Sequence, residues 1–295
     1  MRRDSVIEEM RFVRIGLLNR VATFFLRSQE PPMSTDSFLS PRRVVLVTGG
    51  SRGLGRSAVL HLARYGWDVV FTYHQRVDAA DALRAELAAD PRTSDRRVAA
   101  LRLDTSSTAG FARFVTELSE VLARDFGGAA LDALVNNAGF GVHAPLAETT
   151  EAQFDALVNV HLKGVLFLTQ ALLPLLRDGG SILNVSSGLA RFSLPGYGAY
   201  AMMKGAVEVM TRYLAKELGG RRIRVNTLAP GAIETDFGGG AVRDNQALNA
   251  MIASQTALGR VGLPDDIGAA VSALLSDHTG WINGQRIEAS GGVLL

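Results

Sequence analysis

The stretch Val44-Val45-Leu46-Val47-Thr48-Gly49-Gly50-Ser51-Arg52-Gly53-Leu54-Gly55-Arg56-Ser57-Ala58 decides how the rest of the chain is read. Four consecutive apolar residues have the character of a strand buried on both faces, and the glycines after them end it in a tight turn. An Ala-, Leu- and Arg-rich segment of helical character follows directly. Glycines at such a turn let the backbone approach a ligand closely, while the free amides and positive dipole end of the helix face its negative charge. Gly53-x-Gly55-x-x-Ala58 satisfies the general pattern of a dinucleotide pyrophosphate cradle. A ligand-free turn uses the same residue types, but the placement directly after the first strand favours the cradle.

Outward from this motif, short apolar runs alternate with segments of helical period, the pattern of repeated βαβ units around a parallel sheet. The strand-like runs are Val44–Thr48, Asp68–Thr72, Val98–Leu103, Leu131–Asn136, Ser181–Val185, Ile223–Ala229 and Gln285–Glu288. Helices are predicted near 54–65, 77–89, 108–125, 151–177, 198–219 and 264–276. The expected fold is a single α/β, Rossmann-type doubly wound domain over 41–295, with a seven-stranded parallel sheet flanked by helices. Residues 232–260, with Gly238-Gly239-Gly240, form the one long irregular stretch and are expected to act as a substrate loop.

The composition bounds the chemistry. The chain has 295 residues, 47% of them hydrophobic and 20% charged, which suffices for a large buried core. Its net charge is only +2 with the basic residues dispersed, so nucleic acid is not an expected partner. There is no cysteine, which excludes disulfides, thiolate metal sites and a cysteine nucleophile and suits a cytoplasmic location. The five histidines, His61, His74, His143, His161 and His278, show no close ligand spacing, so no metal is expected. Residues 1–40 are read as a poorly ordered extension: Phe12, Ile15, Leu18, Val21 and Phe25 fall near helical spacing, but arginines interrupt them and no membrane span is long enough. Pro31-Pro32 then marks a break before Met33, an alternative initiator.

The choice of dinucleotide turns on the end of the second strand. An acidic residue about twenty positions past the glycines would bind the ribose hydroxyls of NAD. The sequence there is Phe71-Thr72-Tyr73-His74-Gln75-Arg76, without a carboxylate. Arg52 inside the glycine loop, helped by Arg76, instead suits the 2′-phosphate of NADP. NADPH is the preferred cofactor on this reading, and NADH stays open.

The chemical centre is sought at Ser187, Tyr200 and Lys204. Tyr200 and Lys204 stand at i and i+4 on a predicted helix and so share one face. They follow the buried-looking strand Ile182-Leu183-Asn184-Val185, and ligands of open α/β sheets bind at the carboxyl ends of strands.

With these motifs in place the chain, from about Arg43 to Gly292, resembles the short-chain dehydrogenase/reductase family. Thr48-Gly49-x-x-x-Gly53-x-Gly55 is similar to that family's cofactor turn, and Asn136-Asn137-Ala138-Gly139 to the end of its fourth strand. Ser187 precedes Tyr200 by thirteen residues, the family spacing of the catalytic serine. The resemblance further implies Asn159 as a fourth catalytic residue, Asp104 as an adenine contact, and Pro230-Gly231-x-Ile233-x-Thr235 as the seat of the nicotinamide amide. Ser51, Leu54 and Tyr73 complete the implied cofactor-binding set. It implies that Tyr200 protonates a carbonyl oxygen while hydride reaches its carbon, with Ser187 on the same oxygen and Lys204 on the ribose. Lys204 is also expected to stabilise the phenolate, and Asn159 to hold a water leading to Lys204.

The expected partner is a small-molecule carbonyl substrate. Gly188, Leu189, Phe192, Leu194, Phe237, Met251 and Ile252 suggest an apolar pocket or, equally, packing of the loop. A bacterial 3-oxoacyl-carrier-protein reductase is one analogy, in which Arg221 and Arg222 would meet an acidic carrier. A free ketone, sugar or quinone fits equally well. An NAD-dependent alcohol dehydrogenase and a non-catalytic NADP-binding regulator are the alternatives, although the regulator's hallmark, loss of Tyr200 or Lys204, is not met. By resemblance the chain is expected to form a homo-oligomer, a tetramer or a dimer.

Overall fold

A computed structural model of the chain describes residues 42–128 and 130–295. The reading of 1–40 as an extension lies outside the described residues.

Seven strands form one parallel sheet: β1 (Val44–Val47), β2 (Asp68–Tyr73), β3 (Val98–Arg102), β4 (Leu131–Asn136), β5 (Leu176–Val185), β6 (Arg224–Pro230) and β7 (Arg286–Ala289), in the order β3-β2-β1-β4-β5-β6-β7. The Val-rich strands are buried on both faces because helices cover both. Alternation in β1 shows the division: Val45 and Val47 join one apolar cluster with Leu62 and Ile267, while Val44 and Leu46 join another with Leu118 and Leu168. The chain winds outward from β1 in one direction and from β4 in the other. Their carboxyl ends therefore diverge into a crevice, the switch point at which such sheets bind ligands.

The flanking helices are α1 (Gly53–Arg64), α2 (Val77–Ala89), α3 (Phe111–Asp125), α4 (Glu151–Val158), α5 (Gly164–Leu172), α6 (Gly198–Glu217), α7 (Ala241–Asp244), α8 (Gln246–Ser254) and α9 (Pro264–Leu274). Among the described residues no helix is long and apolar enough to cross a membrane.

Three expectations are revised. The helix read as continuous over 151–177 is divided by a π turn at Asn159–Lys163, and α5 stops at Leu172. After a short turn the chain enters β5, which starts at Leu176 instead of Ser181: Leu176 pairs with Leu131, the register shifts, and Ser181 pairs with Ala133. Gly179, at φ +82°, supplies the left-handed backbone of the bulged segment. The stretch 232–260 is also less irregular than expected, because it contains α7 and α8.

Candidate active site

The crevice begins with the turn after β1. Gly49 and Gly53 have φ of +64° and +55°, conformations that favour glycine. A Cβ at Gly55 would lie 2.2 Å from the Gly49 carbonyl oxygen, so only glycine permits this approach of turn and helix. The turn is tied to β2 by Gly49 N–H donating to Thr72 Oγ1 (3.1 Å) and Gly50 N–H to the Thr72 carbonyl (2.8 Å). The first turn of α1 has neither a side-chain cap nor an acidic residue. Its amides and dipole are thus left for an external anion, and a pyrophosphate fits the cradle.

Other residues implicated by the sequence build the crevice with their side chains engaged. Thr48 Oγ1 accepts from the backbone amides of Asn137 and Ala138 at 3.0 Å each, and Asn137 Nδ2 donates to the Thr48 carbonyl at 2.9 Å. These bonds clamp the ends of β1 and β4 together. Ser51 is buried in the turn, and Leu54 packs against the core. Asp104 is held by Ser106, whose hydroxyl and amide donate to its carboxylate, and lies 3.7 Å from His74. The loop after β6 runs back toward the cradle, since a Cβ on Gly53 would stand 3.8 Å from Thr235. Ile233 is anchored in the core nearby, and a Cβ on Gly231, after Pro230, would press on Ser290 at 2.9 Å.

The two arginines named for the phosphate differ. Arg52 occupies the position just before α1 without capping it, is exposed, and has no ion-pair partner among the described residues. Arg76 is held by Asp78 in a fork of contacts between 2.7 and 3.2 Å. Tyr73 ends β2, half-buried against the core.

At the carboxyl end of β5 the chain turns at Ser186-Ser187 and returns as α6. Tyr200 and Lys204 lie one helical turn apart, both only 5% exposed. Lys204 Nζ donates to the Val185 carbonyl at 2.7 Å and stands 5.5 Å from the centre of the Tyr200 ring. Ser187 Oγ accepts from the Leu189 amide at 3.2 Å and sits close enough to Tyr200 for its hydroxyl to favour the phenolate. Serine, tyrosine and lysine therefore lie together at this edge of the sheet. The electrostatics differ from expectation. Burial pushes the Tyr200 phenol well above its ordinary value, opposed only by Ser187, and pulls Lys204 down to about 8. Desolvation penalises the charged form of each group and is the largest influence on both.

Asn159 lies on the segment that packs against α6. It occupies the π turn half-buried, and among the described residues its side chain has no hydrogen-bond partner. Two residues on, the buried His161 ring stands edge-on to Tyr200, with centroids 5.3 Å apart at 90°. Sequence reasoning passed over His161 because a lone histidine inside an apparently regular helix carries no signal. Gly139 offers one in retrospect, since a Cβ there would overlap His161 Cε1 at 2.5 Å.

Two supporting networks also escaped the sequence. Asn136 Nδ2 donates to Asn184 Oδ1 (2.8 Å), Asn184 Nδ2 to Thr211 Oγ1 (2.9 Å), and Thr227 Oγ1 to Thr211 Oγ1 (2.8 Å), linking β4, β5 and β6 to α6. Arg286 bonds Glu208 at 2.8 Å, Glu288 at 2.8 Å and the Ser187 carbonyl at 3.3 Å, while Glu208 also accepts from Ser186 Oγ at 2.7 Å. The serine turn is thereby fastened from below.

Above Tyr200 the walls are aromatic. Phe237 lies 5.6 Å from Tyr200 and against Gly141, His143 meets Tyr197 edge-on at 5.0 Å, and Phe192 covers Gly188. Leu189 packs against the Tyr200 cluster, Ile252 is half-buried, and Leu194 and Met251 are exposed. Arg221 is engaged by Asp178 at 2.7 Å and by the carbonyls of Leu173 and Leu176, leaving Arg222 as the exposed member of the pair.

Comparison with known proteins agrees with this construction. The family model described as Enoyl-(Acyl carrier protein) reductase matches residues 49–294. The chain is 34% identical to tetrahydroxynaphthalene reductase PfmaG of Pestalotiopsis fici over 261 residues, 85% of this chain and 91% of that one. The solved structure of LugOII, described as a promiscuous reductase catalysing keto-reduction at C1 in lugdunomycin biosynthesis, superposes with a TM-score of 0.79 at 36% identity, covering 86% of this chain and 98% of the other. That of the angucycline C-6 ketoreductase LanV with bound NADP superposes with a TM-score of 0.78 at 34% identity, covering 85% and 95%. The cradle, the sheet order and these matches together establish the chain as an oxidoreductase belonging to the short-chain dehydrogenase/reductase family.

Proposed function

We infer that this enzyme reduces a free ketone, one carried by a flat polycyclic aromatic framework, to an alcohol with NADPH. The observation that carries the reading is the burial of Tyr200 and Lys204 side by side at the carboxyl edge of the sheet, with Ser187 adjoining and an anion cradle across the crevice.

The nicotinamide cofactor, when bound, supplies the hydride. Its pyrophosphate would be held by the turn Gly49–Gly55 and the first amides of α1, its 2′-phosphate by Arg52, and its nicotinamide end by the segment Pro230–Thr235. Tyr200 donates its proton to the carbonyl oxygen as the carbon gains the hydride, so the product leaves as a neutral alcohol. Ser187 donates a hydrogen bond to the same oxygen. Lys204 is charged at neutral pH and opposes the negative charge left on Tyr200. The raised phenol keeps its proton until that charge is opposed, which suits an acid discharged only in the loaded site.

The aromatic framework is supported by the walls Phe237, Tyr197, His143 and Phe192 and by the substrates named for PfmaG and LanV. Engagement of Arg221 by Asp178 favours a free ketone over a carrier-bound one. The reading includes a homo-oligomer, supported by exposed apolar side chains along α4, α5 and α6, among them Phe154, Phe167, Met202 and Tyr213. It places the enzyme in the cytoplasm, which the cysteine-free sequence suits. NADPH oxidation is to be followed at 340 nm against tetralones, hydroxynaphthalenones and small aliphatic ketones. Preferential turnover of the fused-ring ketones is expected, and turnover of aliphatic ketones alone would refute the substrate class.

A further inference from the structure

The helix α8 carries no buried side chain, so apolar packing does not fix its place and polar tethers must. It belongs to the stretch that leaves the crevice with Phe237 against Tyr200. Asn249 Nδ2 donates to Glu234 Oε1 at 2.8 Å and to the Val242 carbonyl at 2.9 Å, which ties the helix to the segment after β6. Beyond the end of α8, residues 255–258 pair with residues 291–294. The Ala257 and Leu258 amides donate to the carbonyls of Gly292 (3.1 Å) and Gly291 (3.0 Å), and the Leu294 amide donates to the Gln255 carbonyl (3.0 Å).

This second tether is in turn held by one side chain, that of Arg191, shortly after Ser187. Its Nη2 donates to the Val293 carbonyl at 2.7 Å and its Nη1 to the Leu294 carbonyl at 3.0 Å, while Nε and Nη2 fork onto Glu288 at 2.7 and 2.8 Å. Glu288 is shared with Arg286, which also reaches the Ser187 carbonyl. Burial alone would raise the Glu288 carboxyl, but the bonds from Arg191, Arg286 and Ser290 bring it to about 2, so the fork stays charged throughout the neutral range. Leu294 has φ of +50°, a left-handed backbone that is unfavourable for leucine and persists where neighbouring contacts impose it. Those contacts are the Arg191 bond to its carbonyl and the Gln255 bond to its amide. The same guanidinium lies 5.5 Å from the centre of the Phe192 ring, which covers Gly188.

We propose that Arg191 is a positioning residue for the substrate: a clasp that joins the loop carrying Phe192 to α8 through residues 291–294 and so sets the width of the crevice between them. The inference rests on the proposed reduction of fused-ring ketones. The guanidinium is taken up by Glu288 and two carbonyls, so it acts through these groups and not on the reacting atoms. Only a planar fork with several donors can span a carboxylate and two carbonyls at once, whereas a lysine ammonium keeps the charge and loses that reach.

Arg191→Ala and Arg191→Lys test the clasp by hydrogen exchange and steady-state kinetics. In both variants the amides of Ala257, Leu258 and Leu294 should exchange about tenfold faster or more, with those of β1 and β4 unchanged. KM for a fused-ring ketone should rise about fivefold or more in Arg191→Ala and about threefold or more in Arg191→Lys, with kcat and the NADPH Kd within about twofold of wild type. Arg191→Lys carries the same readouts should Arg191→Ala fail to fold. Unchanged exchange at the three amides would overturn the clasp, as would wild-type KM in Arg191→Lys. Faster local exchange with an unchanged KM in both variants would leave a tether with no bearing on the substrate and would also overturn it. So would faster exchange throughout β1 and β4 with a parallel loss of kcat, the signature of a support for the whole fold. The exchange readout needs no substrate: if Tyr200→Phe stays active or fused-ring ketones are not turned over, the reductase reading fails while exchange still decides whether Arg191 holds α8.

Discussion

Replacing Arg52 by alanine tests whether this residue makes the enzyme prefer NADPH to NADH. Arg52 is exposed at the start of α1 and unpaired among the described residues, whereas Arg76 already spends its guanidinium on Asp78. An arginine meeting a phosphate makes charge-assisted bonds worth about 1.5–3 kcal/mol each. Solvent access at Arg52 argues for the lower end, so the total loss on Arg52→Ala should be about 1.5–3 kcal/mol. At 1.4 kcal/mol per decade, this is about a 10- to 100-fold weakening for NADPH. NADH lacks the phosphate and should change by less than about twofold on the same reasoning. Arg76→Ala should cost NADPH less, since recruiting Arg76 means abandoning Asp78. The assay is fluorescence titration of both cofactors, with initial rates on one ketone. An unchanged NADPH-to-NADH ratio in Arg52→Ala, or a larger effect from Arg76→Ala, would refute the assignment.

Phe237→Ala removes the ring that covers Tyr200, and since such aromatic pairs contribute about 0.5–1.5 kcal/mol, KM for a fused-ring ketone should rise about three- to tenfold in steady-state assays with little change in NADPH affinity. Asn184→Leu leaves the Asn136 amide and the Thr211 hydroxyl short of a partner in the core, and urea titration should show a loss of about 2–4 kcal/mol. His161 makes stability fall in acid. Its folded value of about 3 lies below the ordinary 6.5, so from pH 6.5 down to about 3 the unfolded chain takes up a proton that the fold refuses. This one group should remove on the order of 4 kcal/mol across that window, and His161→Asn should show a correspondingly shallower slope.

Much of the fold was legible because its signals are local. A both-face apolar strand such as Val44–Val47 running into glycines announces a parallel sheet and its switch point without reference to anything distant. Tyr200 and Lys204 were legible for the same reason, since i and i+4 spacing fixes their common face. The features that escaped depend on partners far along the chain. The π turn at Asn159–Lys163 has no breaker residue at its start, and the space that receives His161 is made by Gly139, more than twenty residues earlier. Arg221 read as a free cation, but Asp178, 43 residues earlier, holds it. The depth at which Tyr200 is buried is not visible in the sequence, because neighbouring charges can be read from it whereas burial cannot.

In the proposed reaction Tyr200 supplies the proton and the nicotinamide the hydride to one carbonyl group. Single-turnover reduction of a fused-ring ketone with NADPH deuterated at C4, in wild type and in Tyr200→Phe, tests it directly. The account predicts deuterium on the carbinol carbon for the wild type and, for Tyr200→Phe, retained NADPH binding with the rate lowered about 10²- to 10⁴-fold, the usual contribution of a positioned general acid. A wild-type rate in Tyr200→Phe, or an alcohol with no deuterium from either face of the labelled cofactor, would contradict it.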